Sequence, residues 1–579
     1  MQITPANHES WVALLRHRAI NEPTGLAFGF MLNEIEDEIL YSYASLDAAA
    51  RKIGAALQRA GLSGERAMLL YQPGPDYVCA LMGCLYAGVI AVPLYAPRPN
   101  GSYERIMQVT ASARAAVLMS TENVLATLDQ AEWAVLKQSG LLWLATDTLP
   151  AELTDQWCMP NINIDSLAVL QFTSGSTGHP KGVMLCHRHL LTNSRMIARG
   201  MGLNRDSVGV AWLPPYHDMG LIGALLQPIY SGFPVHLMSP ATFLQRPIRW
   251  LEAISKYRGT LSAAPNFAYE LCTKRVRPEQ LEALDLSSWK VAGNGAEPIR
   301  AETLRRFSTV FAPVGFDARA FFPCFGMAEA TLFLTGAPPF SGVRTLEASR
   351  EALAEGIVMP VQENGAGVEL VSSGIVDPEV NVSIVNPQTG QVCDTGQVGE
   401  IWVTGVTVAV GYWERQEETA ETFHARLPGS DCNWLRTGDL GCLIKGELYV
   451  TGRIKDLIII NGRNHYPHDI EATVTGIHPA LRPQGAAAFP IESVDGEKMG
   501  LVLELERGYM DIDLAPLAFI VRDAISRQHQ LQIHRLAFVR PGGIPKTSSG
   551  KIQRFLTRQR LLAGDLVLIE GNREVATCQ

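Results

Sequence analysis

Residues 170–182 read Leu170-Gln171-Phe172-Thr173-Ser174-Gly175-Ser176-Thr177-Gly178-His179-Pro180-Lys181-Gly182. An apolar lead-in gives way to six small or hydroxyl-bearing residues, Thr173 to Gly178, and Lys181 follows shortly after. Glycines let backbone N–H groups approach anionic oxygens, hydroxyls add short donors, and a lysine brings a mobile positive charge, so this stretch is suited to holding phosphates. It is not a Walker A loop, because the G-K-[ST] ending is absent and Pro180 stands before the lysine. It is not a nucleophile elbow either, since Ser174 occupies the position two before Ser176 where that motif needs glycine. Taken alone, a loop of this composition also fits a flexible turn.

Five further motifs follow it along the chain: Asn294-Gly295-Ala296-Glu297-Pro298, Phe325-Gly326-Met327-Ala328-Glu329, Arg436-Thr437-Gly438-Asp439, Gly452-Arg453-Ile454-Lys455-Asp456 and Pro545-Lys546-Thr547-Ser548-Ser549-Gly550-Lys551. In this order the set resembles the adenylate-forming superfamily of acyl-CoA synthetases, peptide-synthetase adenylation domains and luciferases. The resemblance implies an enzyme that uses ATP and Mg²⁺. Thr173, Ser174, Gly175, Ser176, Thr177, Gly178 and Lys181 would hold the β- and γ-phosphates. Gly295, Ala296 and Glu297 would line the adenine pocket, with Phe325 stacked on the base and Gly326, Met327 and Ala328 beside it. Thr177 and Glu329 would hold Mg²⁺, a hard cation that prefers oxygen ligands. Asp439 would accept from the ribose hydroxyls with Arg453 next to it, and Lys551 would reach the α-phosphate and the substrate carboxylate.

Two stretches point to a branch. Trp212-Leu213-Pro214-Pro215-Tyr216-His217-Asp218-Met219-Gly220 and Gly462-Arg463-Asn464-His465-Tyr466-Pro467-His468-Asp469-Ile470-Glu471 resemble fatty acyl-AMP ligases, although His468 stands where glutamine is expected. Members of that branch pass a fatty acyl-adenylate to the phosphopantetheine thiol of an acyl carrier protein. The resemblance implies the same for a medium- or long-chain fatty acid here, with His217 where the carboxylate enters. An insertion near residues 336–370, including Leu346-Glu347-Ala348-Ser349-Arg350, also fits the branch. It would limit rotation about a hinge at Lys455. Asp165-Ser166-Leu167 mimics a carrier attachment motif, but Asn163 replaces its glycine and Thr173 follows too closely for a carrier bundle, so the carrier is expected on a separate polypeptide.

The elements that must position these residues are α/β. Ser45 to Ala60 carries a helical apolar stripe that stops at Gly61, Ala67 to Tyr71 is strand-like, Tyr77 to Ala87 predicts a buried helix, and Val89 to Leu94 a strand. This βαβ rhythm recurs to about residue 335 and predicts parallel sheets covered by helices. Val368 to Val450 is rich in short Val/Ile/Thr runs and predicts a smaller β-rich subdomain. The expected organisation is a large N-terminal adenylation lobe over residues 1–454 and a small mobile α+β domain over residues 455–579.

The composition agrees. With 579 residues, 47% of them hydrophobic, the chain can fill large cores, which excludes a disordered or miniature protein. Net charge −9 argues against nucleic acid as the main partner. That charge is uneven: Lys455 to Gln579 holds 15 basic and 14 acidic side chains, and Ala524 to Gly564 holds eight basic and none acidic. This acid-free segment is a candidate docking surface for an acidic carrier, with Arg554 and Arg558 as the residues to reverse. Ten cysteines without a C-x-x-C pair fit a reducing compartment, and the spacing in Cys186-His187-Arg188-His189 does not suit zinc. No secretory leader is expected from Met1 to Asn7. The charge-free run Tyr77 to Pro97 reads as core rather than a membrane span, because glycines and Pro93 interrupt it. A cytoplasmic location is expected. The rival functions are a conventional acyl-CoA ligase, separated by coenzyme A as acceptor, and a silent lipid- or nucleotide-binding protein, separated by absence of ATP–pyrophosphate exchange.

Overall fold

The computed structural model describes residues 8–32, 35, 37–97, 103–128, 140–173, 180–361, 367–460, 462–493, 496–547 and 550–569. Ser42 caps the helix Tyr43–Arg59 by accepting the N–H of Ser45, and Leu46, Ala50, Ile53 and Leu57 form its buried stripe. Gly61, at φ +71°, turns the chain out of it. The strand Arg66–Tyr71 follows, then the helix Pro75–Ala87, in which every residue from Tyr77 to Ala87 is buried. Gly88 ends that helix in the left-handed region at φ +66°, and Ile90–Tyr95 runs parallel to Arg66–Tyr71. The charge-free run is therefore core. Among the described residues no helix is long and apolar enough to cross a membrane.

Two compact units result. The larger comprises residues 1–344, 372–382 and 402–437, and the smaller comprises residues 345–371, 383–401 and 438–579. In the larger unit a six-stranded sheet has the order Leu142–Ala145, Val117–Ser120, Arg66–Tyr71, Ile90–Tyr95, Leu167–Thr173, Lys181–Cys186. The first five strands are parallel and the last turns back antiparallel, with Thr173 opposite Lys181. Thr173 and Lys181, the two ends of the loop expected to hold phosphates, thus lie together at the carboxyl end of a parallel strand, where open α/β sheets place their ligands. A second series in the same unit is parallel from Leu26–Met31 through Val235–Leu237, Gly209–Ala211, Leu261–Ala264 and Val291–Asn294 to Phe321–Gly326. Beneath it, Trp212 stacks on Phe243 at 3.9 Å and Trp250 meets Trp289 at 5.3 Å. Tyr269 and Phe307 complete this buried aromatic core, a rigid floor for the loops above.

The smaller unit is α+β. Leu481–Ser493, Gly496–Leu505 and Ile533–Val539 form a three-stranded sheet, antiparallel then parallel. Leu514, Leu517, Val521 and Ile525 of the helix Leu514–His529 join its core. From Thr345 on, the segment near residues 336–370 belongs to this unit: Thr345–Ser349 pairs antiparallel with the start of Gly367–Val376, and Ser349 caps the short helix Arg350–Ala354. Ala348, Leu353 and Val358 are buried with Leu440, Tyr449 and Tyr466. Arg350 Nη1 also donates to His529 Nδ1 at 3.3 Å. Burial first, then Arg350, pushes the His529 pKa down to about 4, so at neutral pH that ring is uncharged and able to accept.

Candidate active site

Ser174 to His179 lie outside the described residues, so the geometry of the phosphate end rests on Thr173, Lys181 and their neighbours. Lys181 Nζ stands 4.9 Å from the centroid of the Tyr412 ring, and the Tyr412 hydroxyl donates to Glu329 Oε1 at 2.9 Å. Burial first, then the facing Glu329, raises the Tyr412 pKa above its ordinary value, so the phenol keeps its proton and donates. Glu329 itself sits in a tight turn, Ala328–Ala330, closed by Thr331 at φ +74°. That backbone is held by the Thr331 hydroxyl donating to Thr407 O at 2.7 Å. A side chain at Gly326 would place its Cβ 1.5 Å from Leu332 O, so this turn requires glycine. Two of the expected charged groups therefore meet one aromatic side chain that belongs to none of the six motifs. Gly411-Tyr412-Trp413 is visible in the sequence as an aromatic pair after a glycine, but no spacing rule ties it to residues 83 and 231 positions earlier.

The loop expected to line the adenine pocket follows the strand Val291–Asn294, and Ala296 adopts φ +69°, unusual for a residue with a Cβ. A Cβ at Gly295 would approach Cys324 O and Sγ to 3.0 Å, so this loop and the Phe325 strand are in van der Waals contact. Burial pushes the Cys324 thiol up to about 12, which keeps it an inert spacer. Glu297 also reaches a neighbouring element, where its Oε1 accepts the N–H of Phe267 at 2.6 Å, at the start of the helix Asn266–Arg275. Its carboxylate thus pins the loop Gly295-Ala296-Glu297 to a helix N-terminus.

His217 lies just before a π-helix, Met219–Leu226, that Asp218 caps by accepting the N–H of Met219. The preceding turn is tight enough that a Cβ at Gly220 would fall 2.0 Å from Pro214 O. Tyr216 packs between Tyr95 at 5.2 Å and His217 at 5.1 Å, and Gln171 Nε2 donates to Tyr216 O at 2.8 Å. His217 is therefore in the same unit as the phosphate strand and is linked to it through Tyr216 and Gln171. By contrast, His187 Nδ1 accepts the N–H of the distant Trp11 and His189 Nδ1 that of the nearby Cys186, so both rings serve backbone N–H groups.

In the smaller unit Asp439 and Arg453 are register partners on adjacent antiparallel strands, with Arg453 Nε donating to Asp439 Oδ1 at 2.8 Å. Asp439 is buried while Arg453 is largely exposed, so the pair presents one oriented carboxylate. Lys551 follows a turn in which Gly550 has φ +88°. Thr547 Oγ1 accepts the Lys551 N–H at 3.0 Å and Lys551 O accepts that of Thr547 at 2.8 Å.

Arg554 departs from the expectation. Instead of lying open on a basic face, it donates through Nε and Nη2 to both oxygens of Glu471 at 2.7 Å, and through Nη1 to Asp456 Oδ2 at 2.9 Å. Burial alone would lower its pKa, but Glu471 and then Asp456 outweigh this and raise it. The basic groups of the segment that are exposed are instead Arg527, Arg540, Lys546 and Arg560, with the apolar Phe555 and Leu562 also outward, while Arg558 is half-buried with its Nη2 3.6 Å from the exposed Glu492.

Comparison with known proteins places these motifs in company. The AMP-binding enzyme family matches residues 16–413, and a family described as Disco-interacting protein 2-like, AMP domain, matches residues 455–570. The chain is 43% identical over 575 residues to the medium-chain-fatty-acid–acyl-carrier-protein ligase JamA of Moorena producens, covering 98% of this chain and 97% of that one. It is 36% identical to the long-chain-fatty-acid–AMP ligase FadD26 of Mycobacterium marinum, covering 95% and 97%. A solved fatty acyl-adenylate ligase from Legionella pneumophila, in complex with acyl adenylate and pyrophosphate, superposes with a TM-score of 0.77 at 38% identity, covering 98% of both chains.

Proposed function

This chain belongs to the AMP-binding enzyme family, among the fatty acyl-AMP ligases, and from that premise we propose that it converts a medium- or long-chain fatty acid and ATP to fatty acyl-AMP. The acyl group then passes to the phosphopantetheine thiol of a separate holo acyl carrier protein. What carries this reading is the meeting of Lys181 and Glu329 on Tyr412 at the exit of the phosphate loop.

In the first half-reaction a fatty-acid carboxylate oxygen attacks the α-phosphorus in line and pyrophosphate leaves. Two anions must approach, so the protein's part is to supply positive charge and to fix the angle of approach. Lys181 and the backbone N–H groups of the loop hold the leaving phosphates, and Lys551 meets the α-phosphate and the incoming carboxylate. Asp439, oriented by Arg453, accepts from the ribose hydroxyls, and Phe325 stacks on the base. His217 positions the carboxylate. Glu329 offers a hard oxygen donor beside the strand that ends at Thr173, a fit for Mg²⁺, and Glu329 and Thr177 are the residues that would hold it. When bound, the cation supplies charge neutralisation on the departing pyrophosphate. In the second half-reaction the carrier thiolate attacks the acyl carbonyl and AMP leaves.

The decisive experiment measures fatty-acid-dependent ATP–pyrophosphate exchange across a chain-length series, then offers holo carrier protein and coenzyme A as acceptors. Exchange followed by acyl-carrier formation is expected. Efficient acyl-CoA formation would favour the conventional ligase, and no exchange with any acid would favour a silent binding protein.

We further propose that the insertion restrains rotation about Lys455. The burial of Ala348 and Leu353 with Tyr466 and the contact of Arg350 with His529 support this, because rotation of residues 455–579 would break both. Deleting Gly342 to Gly365 is expected to raise acyl-CoA formation at least about tenfold, the factor equivalent to ~1.4 kcal/mol of lost restraint. Unchanged acyl-CoA formation by a folded deletion variant would rule the restraint out.

A further inference from the structure

The segment carrying Tyr412 is stitched to both halves of the phosphate end. Trp413 N donates to Gly182 O at 2.8 Å, Met184 N to Gly411 O at 3.0 Å, and Ala409 N to Glu329 O at 2.9 Å. Behind it, Tyr412 N donates to Thr419 Oγ1 at 3.0 Å, and the Tyr412 ring packs edge-on against Phe423 at 5.0 Å. Tyr412 is itself only 6% exposed. Its side chain then divides: the hydroxyl engages a carboxylate, while the ring face meets an ammonium.

A carboxylate and a lysine brought together for one ligand tend to neutralise each other before that ligand arrives. A neutral O–H donor and a neutral π face hold both without cancelling either charge. We propose that Tyr412 is a positioning residue of the nucleotide site. It fixes the Glu329 carboxylate for a divalent cation and the Lys181 ammonium for the polyphosphate, so that a metal–nucleoside triphosphate meets both at a preset spacing. This rests on the assignment of Glu329 and Lys181 to Mg²⁺ and phosphates under the proposed function.

The two contacts use different atoms, so two substitutions separate them. Tyr412→Phe removes only the hydroxyl, and Tyr412→Leu removes the ring as well. The readout is ATP binding by titration calorimetry, with and without Mg²⁺ and with no fatty acid present. Tyr412→Phe is expected to weaken Mg²⁺-ATP binding about tenfold, the scale of one hydrogen bond to a charged group, while metal-free ATP changes less than about twofold. Tyr412→Leu is expected to weaken metal-free ATP as well, by about fivefold, as Lys181 loses its support. Glu329→Gln is measured alongside. If Glu329→Gln loses Mg²⁺-dependent binding and Tyr412→Phe does not, the role of Tyr412 is overturned while that of Glu329 stands. If Glu329→Gln keeps Mg²⁺-dependent binding, both fall. Equal weakening of Mg²⁺-ATP, metal-free ATP and fatty-acid binding by Tyr412→Phe would mark a merely structural residue and also overturn the proposal.

Discussion

Replacing Lys551 by alanine is expected to lower the rate of acyl-adenylate formation by about 10²–10³ while leaving the ATP dissociation constant within about threefold. The magnitude is that of one preorganised charged contact made where charge develops in the transition state. The separation of rate from binding follows from the proposed roles, in which Lys181 and the residues of the phosphate loop are assigned to ground-state affinity and Lys551 to the α-phosphorus as the carboxylate approaches it. The variant should fold. The turn is held by Lys551 N to Thr547 Oγ1 and by Thr547 N to Lys551 O, contacts that survive truncation of the side chain. Single-turnover adenylate formation and equilibrium ATP binding on the same preparation check it. Equal losses in both would assign Lys551 to nucleotide affinity instead.

Arg554→Glu is expected to destabilise the smaller unit by about 3–5 kcal/mol or to prevent its folding, because it strips the buried Glu471 and the half-buried Asp456 of their shared cation and adds a third negative charge. Glu471 is 5% exposed at its side chain, and its Oε1 also accepts the N–H of Ala488, so it cannot swing out to water without breaking the sheet edge. Against a total stability of about 5–15 kcal/mol this loss is large. Urea denaturation reads it. The double variant Arg554→Leu with Glu471→Leu should recover only part of the loss, since it removes the buried Glu471 charge but leaves Asp456 without its cation and the Ala488 N–H without its acceptor. A normally stable Arg554→Glu protein that fails only in transfer to the carrier would restore Arg554 as a docking residue. For docking itself, the outward Arg560 is the better probe.

These two residues mark where sequence legibility ends. Lys551 is legible because its neighbours Pro545, Thr547, Gly550 and the rest form a contiguous motif whose order is preserved in one dimension. The parallel strands and the helix Pro75–Ala87 are legible for a similar reason: periodic apolar runs and glycine stops act over a few residues and hold wherever the segment is placed. Arg554, read along the chain, looks like a surface charge. A run of basic residues has the same appearance whether its carboxylate partners are water-separated or in direct contact from 83 and 98 positions away.

The chemistry class, the α/β rhythm and the identity of most candidate site residues are written in short-range pattern or in ordered motifs, and the chain alone suffices to find them. Which groups act together emerges only in three dimensions. Folding sets Glu329 and Lys181 against the hydroxyl and the ring face of Tyr412, turns Glu297 to a helix N-terminus, and packs the inserted segment against Tyr466 and His529. The reason is physical: hydrogen bonds and cation–π contacts depend on distances of a few ångströms in space, and separation along the chain carries no trace of them.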